Sequence, residues 1–223
     1  MTELNEIMSQ LRLSANPINI EGMARFGITG EKILGIKMTE LEGFRKAIGK
    51  NHELALLLWN EGYHESRLLA AMIADHKKVT PELMDSWAND FDNWAVCDSV
   101  CGKLFRKSPF TFDKIVQWQY SDKLWVKRAS FTLIAFVAVH YKNLPDSFFN
   151  DYHIYFINNA SDERNYIKKA VNWAIRQIGK RNINLAIEMC NLCDIIKETY
   201  PDSKSAKWIV SDAKRELKTK FNI

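Results

Sequence analysis

The spacing of apolar residues is helical along the whole chain, and this constrains the fold more than any other feature. Apolar residues recur three and four positions apart in about a dozen short segments, and no segment keeps the strict alternation typical of a strand. Capping residues, glycines and prolines separate these segments. At Thr80-Pro81, for instance, a capping side chain precedes a proline at the first helical position. We therefore predict an all-α fold.

Helix boundaries follow from the same signals. A capping residue accepts hydrogen bonds from the free N–H groups at a helix start, so short polar residues ahead of an apolar segment predict one. Glu21 to Leu34 contains three glycines and predicts short turns anchored by Phe26. The predicted helix starts include Thr39, with Glu42 completing a capping box, and Asn51, Thr80, Ser161, Asn182 and Ser203.

A faint internal repeat suggests how the helices are arranged. A basic residue precedes a small and apolar helical segment at Arg67, Arg128 and Lys169, which lie 61 and 41 residues apart. A helix pair of about 40 residues is the HEAT or armadillo unit, and stacked pairs form a solenoid with a concave binding surface. We expect one HEAT-like superhelical domain over residues 1–223. A single helical bundle has the same periodicity and is the alternative.

Composition places the chain among ordinary globular proteins. It has 223 residues, of which 47% are hydrophobic and 26% charged. The longest apolar run, Ala129 to Val139, contains Ser130 and Thr132 and is shorter than the roughly 20 residues that span a bilayer. The N-terminus does not resemble a signal peptide. We expect a soluble, cytoplasmic protein with no membrane association.

The positive charge is concentrated near the C-terminus. Ser161 to Ile223 holds 13 basic and 8 acidic residues, so this region carries +5 while the net charge of the whole chain is +4. A basic region favours a polyanionic partner such as nucleic acid. A solvated helix surface has the same composition, and charge alone does not separate the two interpretations.

The four cysteines do not indicate a metal site. Cys97 and Cys101 form one pair, and Cys190 and Cys193 form another, each within a helical and apolar context. Neither pair has the loop glycines and ligand spacing of a zinc site, and a disulfide is not expected in a reducing compartment. We predict buried free thiols, no zinc and no disulfide. The chain also lacks an H-x-x-x-H pattern and any comparable set of metal ligands, so we expect no metal and no cofactor.

The segment FDNWAVCDSVC, from Phe91 to Cys101, contains the strongest candidate site. Trp94 and Asp98 are four residues apart and share one face of a helix that Asn93 or Asp92 caps. The helix places a carboxylate beside a large aromatic ring at the border of the core. An acid favoured by the helix dipole would look the same, so both interpretations stand. The predicted buried stripe is Val96, Cys97, Val100 and Leu104, with Trp94, Asp98 and Phe105 on its flank.

Four segments together resemble a known family. They are LWNEGYHESRLLAAMIAD (Leu58 to Asp75), FDNWAVCD (Phe91 to Asp98), LWVKRA (Leu124 to Ala129) and YIKKAVNWAIRQIGK (Tyr166 to Lys180). In this order they resemble the DNA alkylation repair family of AlkD-type glycosylases, from roughly Phe26 to Leu217. The resemblance implies a superhelix of HEAT-like repeats that excises N3- and N7-alkylated purines from double-stranded DNA, without a base-specific pocket.

The resemblance also implies site residues. The family signature of a tryptophan four residues before an aspartate, an arginine in a W-x-x-R-like motif and a late tryptophan maps onto Trp94, Asp98, Arg128 and Trp173. We expect these four to lie around one concave surface in a monomeric enzyme. Ala95 departs from the family, in which an acid often follows the tryptophan.

Basic residues of the late helix are the candidate DNA contacts. We expect Lys169 and Arg176, with Lys168 and Lys180 as neighbours, to line the groove with Arg128 and to contact phosphates. Each carried-over residue also has a structural interpretation. The stems of Lys169 and Arg176 can cover Trp173, and Arg128 can form a purely structural pair with Asp98. The competing function is a non-catalytic HEAT-like scaffold that binds DNA or a protein.

Overall fold

A computed structural model describes residues 3–223. Within this range the secondary structure consists of helices joined by turns, with no strand. This confirms the all-α prediction. The helices are α1 (Glu3–Leu13), α2 (Pro17–Ala24), α3 (Met38–Ile48), α4 (His52–Glu61), α5 (His64–Ile73), α6 (Pro81–Asn89), α7 (Trp94–Lys103), α8 (Thr111–Trp118), α9 (Leu124–His140), α10 (His153–Asn159), α11 (Asn165–Gly179), α12 (Ile183–Thr199) and α13 (Lys204–Phe221), with 3₁₀ helices at His76–Lys78, Phe105–Lys107 and Asp146–Tyr152.

The chain divides into two compact units. The first ends at Phe110 and the second runs from Thr111 to Ile223. Because each repeat of a helical array packs mainly on its neighbours, such a division is compatible with one continuous repeat domain. The single domain over residues 1–223 stays a prediction.

In the first unit, helices α3, α5 and α7 run in the same direction. The start of α5 contacts the segment before α3 through Glu65, while its end contacts the turn after α3, where the Asn51 N–H donates to the Ile73 carbonyl at 2.9 Å. The starts of α5 and α7 also meet, at His64 and Asn93. Parallel packing therefore places three helix N-termini side by side.

A fully buried carboxylate fixes this arrangement. Glu65 accepts hydrogen bonds from the backbone N–H groups of Leu34, Gly35 and Ile36 at 2.8, 2.7 and 3.3 Å. Gly35 has a positive φ of 75°, and a Cβ there would lie 2.3 Å from the Asn16 carbonyl oxygen. The segment before α3 is thus held between the start of α5 and the start of α2.

The second unit contains a similar parallel row of α9, α11 and α13. Near their starts, the Arg128 guanidinium donates to the Tyr166 carbonyl at 2.8 Å. Near their ends, the Arg181 guanidinium donates to the Ala138 carbonyl at 2.8 Å. These contacts show that α9 and α11 point the same way.

Helix α13 continues the row on the other side of α11. The Asn172 amide donates to the Ile209 carbonyl at 3.1 Å, and Lys180, directly after the end of α11, pairs with Glu216, further along α13. Helix α12 connects the two and packs against both. The second unit therefore alternates connecting helices with helices of the parallel row.

Most predicted helix starts are correct. Asn51, Thr80, Asn182 and Ser203 each cap a helix with a side-chain oxygen. The predictions for Thr39 and Ser161 are wrong, because these two helices begin after residues that make no side-chain cap. Helix α3 begins at Met38 after Lys37, whose backbone is extended, so Thr39 is inside the helix. Similarly, α11 begins after Arg164, not Ser161.

The turns predicted from Glu21 to Leu34 are also partly wrong. Helix α2 extends to Ala24, because the Asn16 side chain and Pro17 give it a strong start and Gly22 lies inside it. Phe26 does not anchor the segment, since 72% of its surface is exposed. The buried residues there are Ile28, Ile33, Leu34 and Ile36.

Replacing Glu65 with alanine should destabilise the first unit strongly. The change leaves three backbone donors buried without an acceptor, at about 1–3 kcal/mol each, so we expect a loss of roughly 3 kcal/mol or more in the free energy of unfolding. Urea unfolding followed by circular dichroism measures it. The matched control is Glu53→Ala, on the exposed surface of α4, which should cost under about 1 kcal/mol. Equal losses in the two variants would contradict the assigned role of Glu65.

Candidate nucleic-acid interface

Asn93 determines where helix α7 begins. Its side-chain Oδ1 accepts from the backbone N–H groups of Ala95 and Val96, both at 3.0 Å. Of the two predicted caps, the structure therefore uses Asn93. Asp92 instead accepts a hydrogen bond from the Asn93 side-chain amide at 2.7 Å. Trp94 becomes the first residue of α7.

The Trp94 indole is held at its polar edge. Its Nε1–H donates to the backbone carbonyl of Phe26 at 2.9 Å, and the side chain is half-buried. The ring also forms one wall of a cavity of about 480 Å³. The other lining residues are mostly apolar: Ile18, Asn19, Gly22, Met23, Phe26, Ile28, Gly35, Ile36 and Lys37.

Asp98 lies one turn further along α7 than Trp94 and is also half-buried. The two side chains thus occupy the border between core and solvent, as predicted. Below them the predicted stripe is confirmed, since Val96, Cys97, Val100 and Leu104 are all buried. The prediction that Phe105 lies on the flank of this stripe is wrong, because Phe105 is fully buried. Helix α7 ends at Lys103, and the following 3₁₀ turn directs Phe105 into an aromatic cluster with Trp87 and Phe91.

Arg128 belongs to the second unit and has only 6% of its surface exposed. Besides donating to the Tyr166 carbonyl, its guanidinium lies 5.9 Å from the centre of the Tyr166 ring. It follows Trp125 of the W-x-x-R-like motif, and Trp125 packs against the same tyrosine at 4.8 Å between ring centres. The motif therefore joins the starts of α9 and α11.

Trp173 projects from α11 towards α9. Its ring meets Phe136 edge to face, with 5.3 Å between ring centres, and it is half-buried. Lysine and arginine stems alone therefore do not account for the burial of Trp173, because Phe136 contacts part of its ring. That the four signature residues share one surface stays a prediction.

The four basic candidates on α11 and at its C-terminal cap differ in their surroundings. Lys169 is exposed. Lys168 is half-buried, with its ammonium 5.6 Å from the centre of the Trp208 ring. Arg176 and Lys180 both pair with Glu216 of α13. Lys169 is thus the most accessible of the four, while the other three pack against α13.

The first unit also contains a positive cluster that the sequence pattern does not reveal. The pKa of Lys107 is lowered, first by partial burial and then by the positive charges of Arg106, Lys103 and Lys50. These residues come from the end of α7, the turn after it and the turn after α3. No local pattern connects Lys50 with Lys107, because they are far apart in the sequence.

The cysteines and carboxylates give no sign of a metal centre in the part of the chain that the structure describes. All four cysteines are buried thiols outside any disulfide, and residues 3–223 contain no group of three or more His, Cys, Asp or Glu side chains able to hold a metal ion. Burial raises the pKa of the Cys193 thiol to about 12, so it stays protonated at neutral pH. The described helices also include none long and apolar enough to cross a membrane.

Parallel rows of helices built from successive pairs define a helical-repeat fold. Comparison with a solved structure confirms that this fold is of the HEAT-like type. The solved protein is described as one of a new family related to the HEAT-like repeat DNA glycosylases, with affinity for branched DNA structures. The two structures superpose with a TM-score of 0.78 at 17% sequence identity, over 87% of this chain and 83% of the other. At this identity the likeness shows the fold alone.

The family is shown by a sequence comparison. A family model described as DNA alkylation repair enzyme matches residues 7–189, which span α7, α9 and α11 with all four signature residues. The chain belongs to this DNA alkylation repair family, as its four motifs predicted. No curated protein matched the chain.

The ion pairs of Glu216 should make the second unit sensitive to acid. Burial by itself would raise the pKa of Glu216, but hydrogen bonds from Lys180 and Arg176 lower it overall. A lowered folded pKa contributes stability above the ordinary value near 4.5, and this stability is lost as the pH falls through the folded pKa.

Glu216→Gln should therefore lower the melting temperature at pH 7, and its difference from the parent protein should shrink below about pH 4.5. Thermal unfolding followed by circular dichroism between pH 7 and pH 3 measures both effects. Glu198→Gln, on the exposed side of α12, is the control and should change little. A difference that is constant with pH would show that charge pairing is not its cause.

Proposed function

We propose that this protein is a DNA glycosylase that hydrolyses the N-glycosidic bond of N3- and N7-alkylated purines in double-stranded DNA. The observation that carries the proposal is the half-buried pair of Trp94 and Asp98 at the start of α7, in a chain of the DNA alkylation repair family. Arg128 and Trp173 complete the family signature. We further propose that the enzyme acts inside the cell as a monomer and without a cofactor.

The chemistry matches these residue types. Alkylation at N3 or N7 gives the purine a positive charge, so the base leaves as a neutral molecule with the electron pair of the broken bond. Positive charge then develops on the deoxyribose until a water oxygen bonds to C1′ and loses its proton. The catalyst therefore needs to stabilise a cationic sugar more than to protonate the base.

Asp98 is the residue proposed to supply that stabilisation. Its half-buried position on α7 lies between the apolar stripe and solvent, where a carboxylate exerts a stronger field than it would in bulk water. Its position in the second turn of α7, after the Asn93 cap, fixes it relative to the Trp94 ring. The carboxylate is proposed to face the developing charge at C1′ and to orient the attacking water.

The two tryptophans are proposed to contact the deoxyribose and partly balance its positive charge with their ring faces. Each ring has one side fixed by the protein, Trp94 by the Phe26 carbonyl and Trp173 by Phe136. A ring fixed in this way loses little freedom when it binds a ligand. Arg128 is proposed to bind a flanking phosphate through its planar guanidinium group.

Asp98→Asn should remove most of the excision activity while keeping the shape of the side chain. Loss of one preorganised electrostatic group costs on the order of 10²-fold or more in rate. DNA affinity should stay the same or rise, because a negative charge near phosphates is removed. Single-turnover release of free base from methylated duplex DNA measures the rate, and fluorescence anisotropy measures binding.

The control for this variant is Glu40→Gln, which removes a carboxylate from the exposed surface of α3. It should excise at the parental rate. Full activity of Asp98→Asn would reject the carboxylate role. Absence of base release by the unmodified protein would reject the glycosylase proposal itself.

A second candidate is binding of branched DNA without catalysis. The solved structure with the similar fold belongs to proteins with affinity for such DNA, and the cluster around Lys107 gives the first unit a positive region of its own. This candidate predicts tighter binding to a four-way junction than to a linear duplex of equal length. It also predicts no release of alkylated base.

Lys169, the exposed basic residue of α11, should contact a DNA phosphate. Each contact adds about −0.9 to the slope of log affinity against log salt concentration. Lys169→Ala should therefore make this slope less negative by about one unit. Lys197→Ala, which removes an exposed lysine of α12, serves as the control. If the two variants have equal slopes, Lys169 does not contact phosphate.

A further inference from the structure

The side-chain amide of Asn93 is held in one orientation. Its Oδ1 already accepts from the backbone N–H groups of Ala95 and Val96, both at 3.0 Å. Rotating the amide by 180° would place an NH₂ group against these two donors. The Nδ2 group must therefore point the other way, and it donates to Asp92 Oδ1 at 2.7 Å.

The second neighbour of Asn93 Nδ2 is the imidazole of His64. Asn93 Nδ2 and His64 Nδ1 lie 3.3 Å apart, and only 7% of the His64 surface is exposed. Because Nδ2 can only donate, Nδ1 has to accept. This assigns a neutral imidazole with its proton on Nε2. The first residue of α5 thus supports the residue that caps α7.

Charged groups surround His64 on several sides. Burial is the main influence and lowers its pKa; the nearby carboxylates of Glu65 and Asp92 oppose this, and Arg67 adds to it. Glu31 and Lys32, from the segment before α3, line the same cavity as His64. The overall result is a pKa below 6.5, so the neutral form prevails at pH 7.

We propose that His64 is a positioning residue for Trp94: its neutral imidazole supports the Asn93 cap, and protonation releases it. Any effect of His64 on DNA repair rests on the function proposed above for Trp94. When Nδ1 gains a proton, two N–H donors face each other across 3.3 Å. Asn93 cannot rotate to relieve this without giving up its two bonds to α7. The cap weakens, and the adjoining Trp94 loses its fixed position.

The sign of the effect follows from the lowered pKa. Neutral His64 supports the native helix start above about pH 6.5, and this support is lost as the pH falls through the lower folded pKa. The chain should therefore keep Trp94 in place at neutral pH and release it in acid. His76 follows the end of α5, whereas His64 is its first residue, and the His76 Nδ1 lies 3.9 Å from the Asp75 carboxylate.

Fluorine NMR on the full chain labelled with 5-fluorotryptophan tests this directly. The Trp94 resonance is assigned by its disappearance in Trp94→Phe. In the parent protein it should shift with a midpoint below pH 6.5. In His64→Gln the shift should vanish, because a glutamine oxygen accepts at every pH. In the control His76→Gln the shift should persist.

A second variant keeps the test valid if His64→Gln does not fold. Asn93→Asp preserves a side-chain cap but presents only acceptors to His64, so the protonated imidazole becomes favourable. Acid should then no longer release Trp94, and its resonance should lose the transition seen in the parent protein, because the carboxylate accepts from the protonated imidazole. A Trp94 resonance that does not titrate in the parent protein, or that titrates unchanged in Asn93→Asp or His64→Gln, would overturn the proposal.

An excision assay separates this inference from the proposed function. If the protein is a glycosylase, the acidic limb of its pH–rate profile should follow the Trp94 midpoint and be lost in Asn93→Asp. A protein that shows the NMR titration but releases no base at any pH would refute the proposed function and leave the role of His64 intact. A profile whose acidic limb ignores both variants would refute the role of His64 in catalysis.

Discussion

The structure of the first unit depends on how buried backbone N–H groups at helix starts, and in the segment just before α3, are satisfied. Parallel packing of α3, α5 and α7 brings three helix N-termini to one edge, where buried donors need acceptors. Glu65 accepts from three backbone N–H groups before α3, and Asn93 accepts from two at the start of α7. Losing either acceptor would leave donors unpaired at the place where the helices meet.

The candidate site of the first unit is a consequence of that arrangement. Trp94 is the first residue after the Asn93 cap, and its indole N–H reaches the Phe26 carbonyl in the turn after α2. Asp98 follows one helical turn later. A side chain at a capped helix start, fixed to a second element, has few alternative positions, and this is what an electrostatic catalyst requires. The same edge supplies a histidine that makes the position sensitive to pH.

The second unit balances its positive charge against acids on its own helices. Glu216 pairs with Arg176 and Lys180, and Asp212 lies 3.8 Å from Arg176. Arg176 and Lys180 are therefore less available to a polyanion than a count of basic residues suggests. Lys169 is exposed and Arg128 is nearly buried, so Lys169 is much more accessible to a DNA strand than Arg128 is.

The sequence by itself determined the helical class, the family and the caps that act within a few residues. Asn51, Asn182 and the apolar stripe of α7 follow from local spacing, because a capping side chain and its N–H partners are two or three residues apart. The partners of Glu65 lie about 30 residues away, and His64 meets Asn93 across 29. Local periodicity carries no information on such pairs, so only the tertiary structure decided them. It also decided that Phe105 is buried, since α7 ends early and the following turn changes which side of the chain faces the core.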